Sequence, residues 1–341
     1  MKCATAALAV LLAACGGSQS LVPAVTIQNF NQDGSPVTRL DTTGAPIDAH
    51  DGGIWQDPNT RAFYLYGTAY ACGFQWHVAG SPFCGFRVYS SPDAANWTPQ
   101  GFLFDPAAWQ TPCGGAASGG GCFRPRMLFN EISLQYVLWF TGPGAAAADY
   151  WAMTCGGPTG PCSAVAGDPQ TLARSSLGHP SDINVLQDAD HAAYMIYDAG
   201  GALWIEKLAS SYLSSTGTVA QIATTEPDIE APAAFVRGGV YYALYGSYCG
   251  YCPGTDTSYS SASSPLGPWT PGAQLSPNSC GGQSSNVATL TVQGQLVYLY
   301  ESDIWLGTAN EAVAGRFDAP LSFSGAAVNP IVCSASVTLP P

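Results

Sequence analysis

Five short runs of aliphatic and aromatic residues recur along the chain, at 62–67, 135–140, 193–197, 240–245 and 296–300. Each is the length of a β-strand and too short for a helix, and each is rich in the Tyr, Phe, Val and Ile that strands favour. A turn precedes each run: Asp57-Pro58-Asn59, Asn130-Glu131, Asp188-Ala189-Asp190, Arg237-Gly238-Gly239 and Gln293-Gly294. The runs are spaced by roughly 45 to 75 residues, the scale of propeller blades. Further strands and turns close several repeats, as in Phe86-Arg87-Val88-Tyr89-Ser90-Ser91 before Asp93-Ala94-Ala95-Asn96-Trp97. The pattern predicts an all-β protein built as a five-bladed β-propeller. A two-sheet sandwich is the structural rival, and the irregular loop lengths between turn-linked repeats favour the propeller.

Composition agrees with many short strands joined by turns. The 341 residues include 39 Gly, 26 Pro and 17 Tyr, and only 10% are charged, against about 25% in an average domain. The net charge of −13 argues against nucleic acid as a partner, because phosphate binding needs a basic face. A neutral polymer suits the acidity better than a polyanion.

The amino terminus reads as an export signal. Met1-Lys2 is followed by an apolar run ending Leu11-Leu12-Ala13-Ala14-Cys15-Gly16-Gly17, too short to span a bilayer. Leu12-Ala13-Ala14-Cys15 resembles the bacterial lipobox, in which the cysteine is acylated. We therefore expect a leader over 1–14, a tether over 15–40 and one propeller domain over 41–341 of a bacterial lipoprotein. Gly16 after Cys15 points to the outer membrane. Apart from Cys3 and Cys15, ten of the 12 cysteines remain, an even number in an exported chain. Proximity pairs Cys72 with Cys84, Cys113 with Cys122, Cys155 with Cys162, Cys249 with Cys252 and Cys280 with Cys333. Cys249-Gly-Tyr-Cys252 also has redox or zinc half-site spacing, but no second close Cys or His pair completes a metal site, so a structural bridge is expected.

Three acidic positions stand at matching points of separate repeats: Asp51 in Ala49-His50-Asp51-Gly52-Gly53-Ile54, Asp182 in Ser181-Asp182-Ile183, and Glu230 in Asp228-Ile229-Glu230-Ala231-Pro232. A ring of blades would bring the three carboxylates to one axis. Taken singly, each has a bland reading: a turn, a cap beside Pro180, a rim charge among Glu226 and Asp228. Together with Cys122-Phe123-Arg124-Pro125-Arg126-Met127 and Ser264-Pro265-Leu266-Gly267-Pro268-Trp269, they occur in the order seen in glycoside hydrolase family 43. The chain resembles that family from about residue 45 to about 325, and looks most like its exo-β-1,3-galactanase branch.

The resemblance implies an inverting glycosidase without a cofactor, acting on oligo- or polysaccharide as a monomer. Asp51 falls at the family's catalytic base, Asp182 at the aspartate that orients the acid and raises its pKa, and Glu230 at the general acid. Inversion implies that Asp51 and Glu230 stand roughly 6.5–9.5 Å apart, leaving room for a water. Some relatives hold calcium on the axis, but no dense carboxylate loop here argues for a metal. The galactanase branch usually carries Gly in place of Asp51, with a Glu before Arg-Pro or a late Gln proposed to compensate. Here Phe123 occupies the Glu position, while Gln283 matches the late Gln. Arabinofuranosidase, arabinanase and β-xylosidase activities share the family, and a non-catalytic glycan-binding lipoprotein is the rival outside it.

Candidate sugar platforms are Trp55, Trp76, Phe123, Trp151 and Tyr251, since an aromatic face packs against the C–H face of a pyranose. His50 is read as a partner for a substrate hydroxyl or a brace for Asp51. Arg124 is read as pairing with an active-site carboxylate or holding Asp182 in place.

Overall fold

In the computed structural model, residues 24–76, 78–115, 120–142, 149–178, 182–307 and 311–340 are described. The expected leader, Cys3, the expected lipidation site Cys15, His77, His179 and Ser181 lie outside them. Five antiparallel sheets follow one another in chain order as blades, and two further two-stranded sheets lie beside them. Blade I contains His50–Gln56, Phe63–Thr68, Phe86–Ser91 and Thr98–Phe102. Blade II contains Phe123–Asn130, Gln135–Gly142, Asp149–Cys155 and Cys162–Ala164. Ile183–Gln187, Ala193–Ala199, Ala202–Leu208 and Ser215–Ile222 make blade III. Ile229–Arg237, Val240–Ser247, Thr257–Ala262 and Thr270–Ser276 make blade IV. Blade V has three strands, Gln283–Val292, Gln295–Ile304 and Gly315–Pro320. The first strand of each blade touches the first strands of the two neighbouring blades, closing a ring about one axis.

The aromatic runs are the second strands, and the ring explains why they are continuously apolar. Successive side chains of a strand point to opposite faces, and each blade is covered on both faces by its neighbours. Tyr64 and Tyr66 pack into the interface of blades I and II with Leu138 and Met153. Phe63 and Leu65 point the other way, to blade V and its Leu290 and Leu299. Val137 and Trp139 meet Met195 and Tyr197 between blades II and III. Ile196 meets Ala243 and Tyr245 between blades III and IV, and Tyr242 and Leu244 meet Tyr300 between blades IV and V. Five apolar clusters thus fill five interfaces.

The ring is fastened where its first and last blades meet. Thr26–Gln28 pairs antiparallel with Ser336–Thr338, and Ile27 and Leu339 are buried between blades V and I. Asn29 and Arg39 reach Asp318 of blade V. The expected tether therefore needs correction: residues 26–40 include a strand and contacts that belong to the propeller, because Ile27 has apolar surface to bury. The five cysteine pairs are bridged as expected from their proximity.

Candidate functional site

Each first strand begins at the same end of the axis, and its opening residues carry the polar groups there. In blade I, His50 pairs with Thr68 and Gly53 with Tyr66, so one extra residue bulges from the first strand. The same two-against-one step follows Phe123 in blade II, Glu230 in blade IV and Ser284 in blade V. A bulge bends the strand and re-aims side chains. Asp51, Arg124 and Ala231 adopt left-handed φ values of 55°, 56° and 57°, a conformation costing of order 1–3 kcal/mol for a residue with a side chain. Tertiary contacts hold the Asp51 bulge: its N–H donates to Asp303 Oδ2 at 2.9 Å, and its carbonyl accepts from Arg126 at 3.2 Å. Gly52 follows because a Cβ there would sit 1.9 Å from the Tyr66 carbonyl oxygen; one on Gly53 would sit 2.4 Å from the Asn286 amide. Asp51-Gly52-Gly53 is thus the start of a strand rather than a plain turn.

The three acids are joined through Arg124. Asp51 Oδ1 accepts from the Arg124 N–H at 3.0 Å and from the Thr68 hydroxyl at 2.9 Å. The Arg124 guanidinium donates to Asp182 Oδ2 at 2.5 Å and to the Ser284 carbonyl at 3.2 Å. Asp182 Oδ2 also accepts from the N–H of Ala231, beside Glu230, at 3.1 Å. Glu230 Oε1 accepts from the Cys249 N–H at 2.7 Å and from the Gln283 amide. Gln283 donates as well to the Cys249 carbonyl and accepts from the Trp305 indole N–H, both at 3.0 Å. Every blade contributes, and Arg124 both contacts the Asp51 carboxylate and holds Asp182.

Burial and neighbouring charge separate the carboxyls by task. Glu230 is 4% exposed; burial, then the Asp182 and Asp198 anions, push its pKa up to about 9. Burial raises Asp51 too, and the Asp303 anion adds to this, but Arg124 opposes them and the group settles at about 7. A neutral carboxyl and a neighbouring carboxylate can therefore coexist near pH 8, the arrangement that supplies an acid and a base together. Because Oε1 of Glu230 already accepts two hydrogen bonds, its proton belongs on Oε2. Burial and the Arg124 charge lower Arg126 to about 10. Its guanidinium also bonds the Ile183 and Ser285 carbonyls, tying blades I, III and V beneath the acids. Below it a cavity of about 250 Å3 follows the axis, lined by Asn184, Asn286 and apolar residues of the first strands. Among the described residues, no group of three or more His, Cys, Asp or Glu is arranged to hold a metal ion.

The aromatic candidates divide. Tyr251 stands edge-on to Trp305 at 4.9 Å and to Trp76 at 5.4 Å, and its hydroxyl lies 3.1 Å from that of Tyr70. Phe123 joins the same cluster through Phe74. Trp55 does not belong to it. Four residues along the strand from Asp51, its ring packs with Tyr64, Tyr66 and Tyr136 in the interface of blades I and II. Trp151 likewise packs on Trp109 at 4.9 Å in that interface. Both are half-buried aromatics packed against that interface, placed there by the strand alternation.

Sequence reasoning missed Thr68, Tyr70, Asp198, Asp303 and Trp305, along with Tyr248, which is 57% exposed near the acidic cluster. Antiparallel pairing supplies the absent signal. The end of each second strand lies beside the start of the first, so polar residues closing an aromatic run, as in Tyr197-Asp198 and Tyr300-Glu301-Ser302-Asp303, face the site.

Known proteins share this framework. The sequence profile of glycosyl hydrolases family 43 matches residues 47–306. A β-D-galactofuranosidase of Aspergillus niger is 26% identical over 257 residues, covering 72% of this chain and 73% of that protein. The structure of an exo-β-1,3-galactanase variant from Phanerochaete chrysosporium with β-1,3-galactotriose aligns with TM-score 0.71 and 25% identity, over 91% of this chain and 67% of that one. A family 43 β-1,3-galactosidase with galactodeoxynojirimycin aligns with TM-score 0.71 at 21% identity, over 86% of this chain and 97% of that one, and shares the fold.

Proposed function

This chain belongs to glycosyl hydrolases family 43 and hydrolyses O-glycosyl bonds, and from that premise we propose that it is an inverting exo-β-1,3-galactanase. Glu230 gives its Oε2 proton to the glycosidic oxygen as the C1–O bond breaks. Asp51 takes a proton from a water that attacks C1 on the opposite sugar face. The released sugar then carries the inverted anomeric configuration, Glu230 takes a proton back from solvent, and Asp51 returns its own to solvent. This requires the two carboxyls to stand roughly 6.5–9.5 Å apart. Asp182 keeps Glu230 protonated by its charge and is held in place by Arg124. Gln283 spends its amide on Glu230 and Cys249, and so serves the acid rather than the water.

The observation that carries the mechanism is the relay Asp51–Arg124–Asp182–Ala231, which couples base and acid across four blades. The choice of β-1,3-galactan is supported by the 25% identity to the Phanerochaete chrysosporium exo-β-1,3-galactanase over 91% of this chain. The aromatic cluster of Tyr251, Trp305 and Trp76 suits the C–H face that an axial O4 leaves bare on galactose. A second reading, a β-D-galactofuranosidase, is favoured by the Aspergillus niger relative and by Asp51, where the galactanase branch usually has Gly. Incubation with β-1,3-galactan and with an aryl β-D-galactofuranoside, followed by proton NMR of the first product, tests both. Release of α-galactose from galactan supports the proposal, furanoside hydrolysis alone selects the second reading, and a β-configured first product refutes inversion. We further propose export and lipid anchoring at Cys15, supported by five disulfides that suit an oxidising compartment. Retention in the membrane fraction, lost on Cys15→Ser, is the expected result.

A further inference from the structure

Behind Asp51 lies a group of buried charges that the hydrolytic cycle does not use. His50 is fully buried, and both its ring nitrogens lack a hydrogen-bond partner. Nε2 stands 3.8 Å from Asp48 Oδ1, and Nδ1 stands 3.8 Å from Asp303 Oδ1. The ring is packed against Tyr70 and Trp305, at 5.6 and 5.9 Å between centroids. Asp303, 1% exposed, uses its other oxygen to accept the Asp51 N–H at 2.9 Å. Asp48 accepts the N–H groups of Tyr70 and Ala71. Two carboxylates therefore flank one imidazole, and one of them also grips the backbone of the bulge that aims Asp51.

We propose that His50 and Asp303 form a buried ion pair that orients the catalytic base and balances the charge behind it, which makes both of them positioning residues for water activation. A carboxylate this deep is costly to hold without a compensating cation. Arg316, its partner across the strands of blade V, and Arg124 share in that compensation, and His50 adds a further cation 3.8 Å from the carboxylate oxygen that the Asp51 N–H leaves free. The directions of titration agree: burial works against the His50 cation, yet Asp303, Asp48 and Asp51 together raise its pKa. Burial likewise works against the Asp303 anion, yet His50 and Arg316 hold its pKa below the usual carboxylate range. Asp51 itself is faced by Arg124 from blade II, Asp303 from blade V, Thr68 and Tyr70 from blade I, and Tyr251 from the blade IV loop. Asp303 is the anion nearest to it in this set. Its charge discourages ionisation of Asp51, and the imidazolium tempers that charge. The inference rests on the reading of Asp51 as the base.

Removing either member of the pair alone should move the acidic limb of kcat/KM, and in opposite directions. Asp303→Asn keeps an oxygen for the Asp51 N–H and removes the anion, so the limb falls by on the order of one pH unit. His50→Gln removes this cation and leaves Asp303 to Arg316 and Arg124 alone, so the limb rises, by up to about as much. Well below the limb, activity relative to each plateau then changes by up to about tenfold, up for Asp303→Asn and down for His50→Gln. A residue that merely filled space would not move the limb both ways. The chain has four histidines, so 15N spectra of the imidazoles supply a readout independent of turnover. The His50 ring is expected to remain cationic at a pH where ordinary imidazoles are neutral.

A neutral His50 ring at pH 7, or folded variants whose acidic limbs coincide with that of the wild type, would overturn the ion pair. Asp51→Asn separates this failure from that of the underlying reading. Its inactivity combined with unmoved limbs sinks only the pair, whereas full activity of Asp51→Asn removes the base and the proposal with it. Should Asp303→Asn not fold, the direction of the His50→Gln limb and the imidazole spectra decide.

Discussion

Replacing Glu230 by Gln should sharply impair hydrolysis of galactan and, at alkaline pH, make the protein more stable. Glu230 is lifted from an ordinary 4.5 to about 9, and at about 1.4 kcal/mol per unit this amounts to about 6 kcal/mol of linkage. The sign follows from proton counts. Above pH 4.5 the unfolded chain has released this proton, while the native protein keeps it until pH approaches 9. The unfolded state therefore binds fewer protons, and stability falls as pH rises through that window. By pH 8 the loss attributable to Glu230 is about 5 kcal/mol, a large share of the 5–15 kcal/mol of a typical domain. Gln carries no such proton, and its carbonyl oxygen can still accept from Cys249 and Gln283. Asp51 titrates in the same direction but is common to both proteins and cancels in the comparison. Denaturant unfolding at intervals from pH 5 to 9, with the disulfides intact, should show the Glu230→Gln curve pulling away from the wild type as pH rises. Activity on galactan should drop by about 10²–10⁴-fold, the usual contribution of a general acid. Aryl substrates whose leaving group needs no proton should be partly spared. Stability curves that run parallel across the range would mean that Glu230 ionises as an ordinary carboxylate, and the assignment of the acid would fall.

Three further outcomes follow from the site. The pH profile of wild-type kcat/KM should be bell-shaped, rising through about 7 as Asp51 loses its proton and falling through about 9 as Glu230 loses its own; activity that peaks below pH 5 would contradict this. Asp182→Asn withdraws the leading anion acting on Glu230, so the alkaline limb should move to lower pH and kcat should fall, which a pH series of initial rates would reveal. Gly52→Ala places a methyl against the Tyr66 carbonyl and should cost at least about 3 kcal/mol, measurable as a lowered denaturant midpoint.

The architecture was more legible in the sequence than the site. Runs such as Tyr64-Leu65-Tyr66 and Tyr298-Leu299-Tyr300 have a strand's length and a turn in front, and this marks the blades whatever their packing. Asp51, Asp182 and Glu230 were visible because each stands at the opening of a first strand, next to a short motif. Asp303, Asp198 and Thr68 were hidden because their importance is created by pairing. Each closes a second strand, and only the antiparallel register brings it beside an acid opening the first. Trp55 misled for the same reason: it is near Asp51 in sequence, but the strand carries it down the blade into an apolar interface. The disulfides were legible because four of the five close loops of 12 residues or fewer.

The meeting of the first and last blades has a consequence for how far the chain can be divided. Asp51 lies near the start of the propeller, but its backbone is gripped by Asp303; Glu230 leans on Gln283, and Gln283 on Trp305. All of these partners belong to blade V and its flanks. A fragment that stops before blade V holds all three acids but lacks the groups that steady its base and its acid, and Ile27 loses Leu339. The three acids alone are therefore not a portable active site: their chemistry depends on the closed ring.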